Sequence, residues 1–295
     1  MPGEAGAARH VTPSPDFPIV THTRKCCCLL APLMLVYLTA AGIMLFFETG
    51  LVYPAPGAEV GDDTPQQFAA EEVRFESADG TRLHGWFFPR HNRGSPILFF
   101  HGNGENVALT GREMSDLSDR LDAPILVFDY RGYGQSEGSP HEQGVVADGI
   151  AAVEWLCQRT GKSPDQLVYL GRSLGGGVAV QVAGQMPPRA LILVSTFSSL
   201  VDVAARVFPW LPVRWLMRNR YESARVISRC PVPLLQIHGV DDTIVPLELG
   251  ERLHAASGAE HKKFLSAAGL GHNDLPLEAF VEEINRFIDA ARPQR

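Results

Sequence analysis

The segments Ile97–Phe100 and Ile125–Asp129 are runs without a polar side chain up to Asp129, and each ends close to a glycine-rich turn. Four apolar residues are too few for a stable helix. A half-buried strand would alternate polar with apolar positions, so a continuous run suits a strand covered on both faces. Segments 167–170 and 191–194 have the same form, running into Gly171 and Ser195, and 234–237 and 262–265, which carry Gln236 and Lys262-Lys263, likewise run into His238-Gly239 and a turn near Gly269. Stretches 107–121, 145–158, 174–185, 247–256 and 277–291 between them read as helices. Ahead of the series, 71–75 and 82–88 flank Asp79-Gly80, a strong hairpin signal. Strands alternating with helices build a parallel sheet covered on both sides. The predicted fold class is α/β: a mostly parallel, doubly wound sheet with a strand for each of these eight segments. Active sites in such sheets gather at the carboxyl ends of the strands, where the polar residues of interest fall.

The pattern Gly-x-Ser-x-Gly occurs twice, around Ser173 and around Ser136. A nucleophilic serine on a sharp turn needs a strand before it, a helix after it, and glycines two residues away on each side. Ser173 follows the apolar segment 167–170 and precedes a Gly/Ala/Val-rich helix. Ser136 lies between Gly132-Tyr133-Gly134 and Gly138-Ser139-Pro140, which is turn chemistry on both sides. Ser136 therefore reads as a loop residue and Ser173 as the nucleophile. A serine needs a base, and the base needs an orienting acid. Asp241 or Asp242, after the strand 234–237, can supply the acid, and His272, after the last strand, the base. His84, His101, His238, His254 and His261 read as hairpin, loop or surface residues. Two backbone N–H groups would hold the oxyanion: that of Leu174, next to the nucleophile, and that of Asn103 in the loop 101–104. The alternative for that loop is a plain glycine turn.

The motifs HGNGEN (101–106), DYRGYGQSEG (129–138), GRSLGG (171–176), HGVDDTIVP (238–246) and GLGHND (269–274) together resemble the α/β-hydrolases over roughly residues 70–292. They look closest to the membrane-tethered α/β-hydrolase-domain subgroup related to protein depalmitoylases and their bacterial relatives. The resemblance implies a serine hydrolase with the acid at Asp242 rather than Asp241 and the base at His272. It also implies a short lid at about 197–229, where Phe197, Phe208, Trp210 and Trp215 mix with Arg206, Arg214, Arg218 and Arg220. That segment reads either as a cap over an acyl pocket or as a core-packed excursion.

Residues 26–47 carry no charge. As a helix of about 33 Å they would match the hydrocarbon core of a bilayer, and a transmembrane helix is expected there. A signal peptide has a shorter apolar core, and a buried core helix keeps some polar face. Arg24 and Lys25 precede the run, so the positive-inside rule leaves the N-terminus cytoplasmic and the hydrolase domain extracytoplasmic. Residues 1–25 read as a disordered tail, 48–70 as a linker and 71–295 as the folded domain. Cys26, Cys27 and Cys28 are candidates for S-palmitoylation, with apolar filler as the alternative. Cys157 and Cys230 read as separate free thiols.

The formal net charge of −7 excludes a phosphate-backbone binder, so no nucleic acid is expected. No metal or organic cofactor is expected. The expected function is cleavage of a carboxylic ester or thioester, extending to lipid-like substrates. The alternatives are a peptidase of the prolyl-oligopeptidase type and a catalytically silent, membrane-anchored interaction protein.

Overall fold

The computed structural model describes residues 22–90 and 94–291, with side chains from residue 31 onward. Its eight strands are β1 (Glu71–Glu76), β2 (Arg82–Phe88), β3 (Ile97–Phe100), β4 (Ile125–Phe128), β5 (Val168–Arg172), β6 (Ala190–Val194), β7 (Leu234–Gly239) and β8 (Lys262–Ala267). They form one sheet in the order β1-β2-β4-β3-β5-β6-β7-β8. The hairpin β1–β2 and the pair β2–β4 are antiparallel, and all other pairings are parallel. The helices are α1 (His22–Phe46), α2 (Glu48–Val52), α3 (Val107–Leu121), α4 (Glu142–Thr160), α5 (Leu174–Ala183), α6 (Leu200–Val207), α7 (Val213–Leu216), α8 (Ser223–Ile227), α9 (Leu247–Ala256) and α10 (Val281–Ala290).

The unbroken apolar runs have a simple cause. Side chains alternate across a strand, and both faces of this sheet are covered. Leu98 and Phe100 pack with Leu126, Tyr169 and the α4 and α5 residues Val153 and Val178. Ile97 and Phe99 point the other way, into a second core with Met114 and Leu117 of α3 and Ile284 and Phe287 of α10. Every residue of β3 and β4 is therefore buried. Asn106 starts α3 by accepting the Leu109 N–H at 2.9 Å, a side-chain cap that fixes the helix at its expected first residue.

Three expectations need correction. Segment 48–70 is not a loose linker. It carries α2 and a 3-10 turn at Pro65–Phe68, and Tyr53 in it is buried. Backbone pairing holds it down as well: the Gly134 N–H donates to Pro56 O at 2.9 Å, and Asn106 Nδ2 donates to Val60 O at 2.8 Å. α4 begins at Glu142, three residues before the expected start, because Asn219 Oδ1 accepts the Glu142 N–H at 2.8 Å. The last helical segment divides, with a 3-10 turn at Leu277–Phe280 preceding α10.

The chain separates into two compact units, residues 1–44 and 45–295. In the first, α1 is a continuous helix through Pro32, and Leu33, Met34, Leu35, Val36, Leu38 and Ile43 are exposed. Among the described residues no helix is long and apolar enough to cross a membrane. The transmembrane helix expected over 26–47 is therefore not found there. The side chains of Cys26, Cys27 and Cys28, and the tail through residue 21, lie outside the described residues.

Candidate active site

β5 ends at Arg172 and α5 begins at Leu174, so Ser173 alone makes the turn between strand and helix. Its backbone sits at φ 51°, ψ −118°, a conformation that costs an L-residue about 1–3 kcal/mol. The surroundings impose it. The Ser173 N–H donates to Val194 O at 2.8 Å, and Ser173 O accepts the Gly176 N–H at 3.0 Å. The flanking glycines let the helix descend onto the strand. A Cβ on Gly171 would lie 2.6 Å from Gly176 Cα, and one on Gly175 would drive into the carbonyl oxygens of Phe100 and His101. Ser136, as expected, is a loop residue. Its hydroxyl donates to Asp129 O at 2.7 Å and accepts the His84 N–H at 2.9 Å.

Parallel pairing delivers the other loops to the same end of the sheet. Phe100 of β3 pairs with Gly171 of β5, so the 101–106 loop and the Ser173 turn leave the sheet side by side. Gly239 of β7 pairs with Ala267 of β8, which sets the Asp242 loop beside the His272 loop. The Asp241 N–H donates to Leu270 O at 3.0 Å and ties those two loops together.

His272 Nε2 lies 2.9 Å from Ser173 Oγ, and His272 Nδ1 lies 2.7 Å from Asp242 Oδ2. An ionised carboxylate only accepts, so Nδ1 carries the proton and Nε2 is left to accept the serine hydroxyl. Of the two candidate acids the fold thus brings Asp242, not Asp241, to the imidazole. The other Asp242 oxygen accepts the N–H groups of Ile244 at 2.9 Å and Val245 at 2.8 Å. Burial pushes the Asp242 carboxyl up. Hydrogen bonds from His238 and His272, with the backbone donors, outweigh that and hold it below the usual carboxylate range.

Asn103 stands in the loop after β3, where its Oδ1 accepts the Tyr133 hydroxyl at 3.2 Å, and Leu174 is the first residue of α5. Neither of their backbone N–H groups donates to an acceptor among the described residues. First-turn helix donors such as that of Leu174 have no intrahelical partner.

A family model described as alpha/beta hydrolase fold matches residues 95–225. The uncharacterized protein Rv2307c of Mycobacterium tuberculosis is 39% identical over 272 residues, covering 90% of this chain and 96% of that protein. The alpha/beta hydrolase domain-containing protein WAV2 of Arabidopsis thaliana is 33% identical over 248 residues, covering 76% of this chain and 80% of that protein. This chain belongs to the α/β-hydrolase fold family. Among solved structures, the Pyrococcus furiosus esterase Pf2001 superposes with a TM-score of 0.66 at 18% identity, covering 80% of this chain and 99% of the esterase. At that identity the likeness is one of fold.

Several residues around the site of this α/β-hydrolase escape a reading of the sequence. His238 Nε2 donates to Val245 O at 2.8 Å and lies 3.4 Å from Asp242 Oδ2, so it braces the acid loop. Arg172 reaches Glu105 at 3.0 Å and Glu113 at 2.5 Å and lies over the Phe99 ring. Burial weakens its hold on a proton, and the two carboxylates more than offset that, keeping it charged. The one available signal was charge complementarity between two motifs, an acid in HGNGEN and a base in GRSLGG. A cavity of about 570 Å³ beside the site is walled in part by Glu105, Arg172, His272 and Leu275. In the β6–β7 connection, which holds α6, α7 and α8, Phe197 and Leu211 are buried, whereas Val207 and Trp215 are exposed.

Proposed function

We propose that this α/β-hydrolase is a serine hydrolase that cleaves carboxylic esters or thioesters through an acyl-enzyme. The observation that carries the reading is the chain of contacts from Asp242 through His272 to a strained Ser173. Ser173 Oγ attacks the carbonyl carbon while its proton passes to His272 Nε2. The oxyanion accepts the N–H groups of Asn103 and Leu174, each expected to contribute about 10²–10³ in rate. Collapse expels the alcohol or thiol, which takes the proton from His272. Water then attacks the acyl-enzyme with His272 as base, and the acid departs. Asp242 keeps the imidazole in the required tautomer and stabilises the imidazolium. The esterase fold shared with Pf2001 favours an oxygen ester, and lipid-like acyl chains belong to the same reading.

Membrane association through that unit belongs to the same proposal. It is supported by the uncharged run 26–47 and by the exposed apolar side chains of α1. Arg24 and Lys25 favour a cytoplasmic N-terminus and an extracytoplasmic hydrolase domain. Protease added to intact cells should digest the domain, and digestion only after permeabilisation would reverse the orientation.

The decisive experiment labels the full chain with a fluorophosphonate and follows p-nitrophenyl ester hydrolysis across acyl lengths. Ser173→Ala should abolish labelling and reduce turnover at least about 10³-fold. A wild type that neither labels nor turns over any ester would instead point to an interaction protein.

A further inference from the structure

We infer that Glu105 is a positioning residue for the oxyanion hole, holding the 101–106 loop in register with the nucleophile turn. The inference rests on the serine-hydrolase reading and adds a residue with no part in the triad or among the hole's donors.

The two proposed donors come from different elements, so their spacing is not set by local geometry. Asn103 belongs to the loop after β3 and Leu174 to the start of α5. Glu105 spans the gap. Its Oε2 accepts the Gly102 N–H at 2.6 Å, and its Oε1 accepts Arg172 Nη1 at 3.0 Å. Arg172 immediately precedes Ser173, and its guanidinium is itself pinned by Glu113 at 2.5 Å and by the Phe99 ring. One carboxylate therefore grips both sides of the hole through charge-assisted hydrogen bonds, which are shorter and stronger than neutral ones.

The same residue also orients the donor. Gly102 O and the Asn103 N–H share one planar peptide and point in opposite directions. Gly102 O accepts His101 Nδ1 at 2.9 Å and the Glu105 N–H at 3.3 Å. Fixing that carbonyl fixes the direction of the Asn103 N–H. His101 is fully buried and its pKa is pushed down by desolvation, so its ring stays neutral with the proton on Nδ1. Glu105 thus holds Gly102 from both sides, with its N–H on the Gly102 O of that peptide and its carboxylate on the Gly102 N–H of the preceding one.

The test uses the full chain as wild type, Ser173→Ala, Glu105→Ala and Glu105→Gln. Fluorophosphonate labelling taken to completion counts competent sites. Ester hydrolysis then gives kcat per site and KM, and an alkylboronic acid, which forms a tetrahedral adduct on the serine, gives an inhibition constant. Glu105→Ala should lower kcat per site about 10²-fold, leave KM within about threefold, and weaken the boronic acid by a factor similar to the kcat loss. Glu105→Gln keeps one acceptor for the Gly102 N–H and should fall between the two. A Glu105→Ala protein whose per-site kcat and boronic acid affinity match wild type overturns the inference, even if fewer sites label or the protein melts lower. If Glu105→Ala does not fold, Glu105→Gln decides, and wild-type values for it overturn the inference. A wild type that does not label, or a Ser173→Ala protein that still does, overturns the serine-hydrolase reading itself.

Discussion

Asp242 is asked to do two things at once: accept three hydrogen bonds, with His238 Nε2 a further 3.4 Å contact, and remain ionised inside the protein. Replacing it with Asn would present an N–H to His272 Nδ1 and favour the wrong tautomer. Asp242→Asn should therefore lower kcat about 10³–10⁴-fold with little change in KM, measured on the preferred p-nitrophenyl ester. The depressed pKa has a stability consequence of definite sign. A carboxyl held below its ordinary 3.8 contributes stability that is complete above that value and is lost as pH falls through the lower folded value. The stability advantage of wild type over Asp242→Asn should accordingly shrink below about pH 4. Thermal melts at a series of pH values check this, and a constant difference down to about pH 2 would contradict it. Ser173 and its glycines are legible at this scale because each glycine answers a local steric demand. Glu105 is not, because its partner Arg172 stands in another motif and only the fold brings the two within reach.

The β6–β7 connection is held at its far end by carboxylates from distant elements. Glu48, at the start of α2, accepts the N–H groups of Arg218 and Asn219, each at 2.9 Å, and Asn219 Nδ2 at 3.0 Å. Glu142, at the start of α4, accepts the N–H groups of Arg220 and Tyr221. The Tyr53 hydroxyl completes the junction, donating to Asn219 Oδ1 at 3.0 Å and lying 2.9 Å from the Tyr221 hydroxyl. Glu48→Ala would leave three donors without an acceptor, at about 1–3 kcal/mol. For a domain of this size that lowers Tm by roughly 2–4 °C per kcal/mol. Hydrogen exchange should lose protection first at 213–221, and unchanged protection there would count against the junction's role. A reading by composition makes 48–70 a linker because prolines and glycines dominate it. The carboxylate that matters is a single residue at its edge, and nothing local marks it as buried.

At the scale of the molecule, both faces of the sheet are packed within residues 45–295, and the triad and the proposed oxyanion donors all belong to that unit. A chain beginning at residue 45 should fold, label with a fluorophosphonate and keep kcat within about twofold on soluble short-chain esters, since no donor or acceptor of the proposed site is removed. Its affinity for lipid vesicles should fall, as judged by flotation. A truncated chain that binds vesicles as well as the full one would remove α1 from the membrane proposal.

The eight strands and the five longer helices of the domain, in their order, follow from the chain alone. Burial on both faces writes itself as unbroken apolar runs, and turns, caps and the Gly-x-Ser-x-Gly turn depend on neighbours only a few residues away. The order of strands across the sheet does not follow in this way. β4 lies between β2 and β3, a pairing between segments that local periodicity cannot distinguish. The same holds for the site. The residue types and their order suggested a serine, an acid and a base, and left Asp241 and Asp242 open until a resemblance favoured one. The distances of 2.9 Å and 2.7 Å exist only because parallel pairing sends the loops of six strands out of one end of the sheet. Hydrogen bonds that span more than 60 residues, such as Arg172 to Glu105 and Asn219 to Glu48, are decided by tertiary packing, because only there do groups far apart in the chain share one desolvated space.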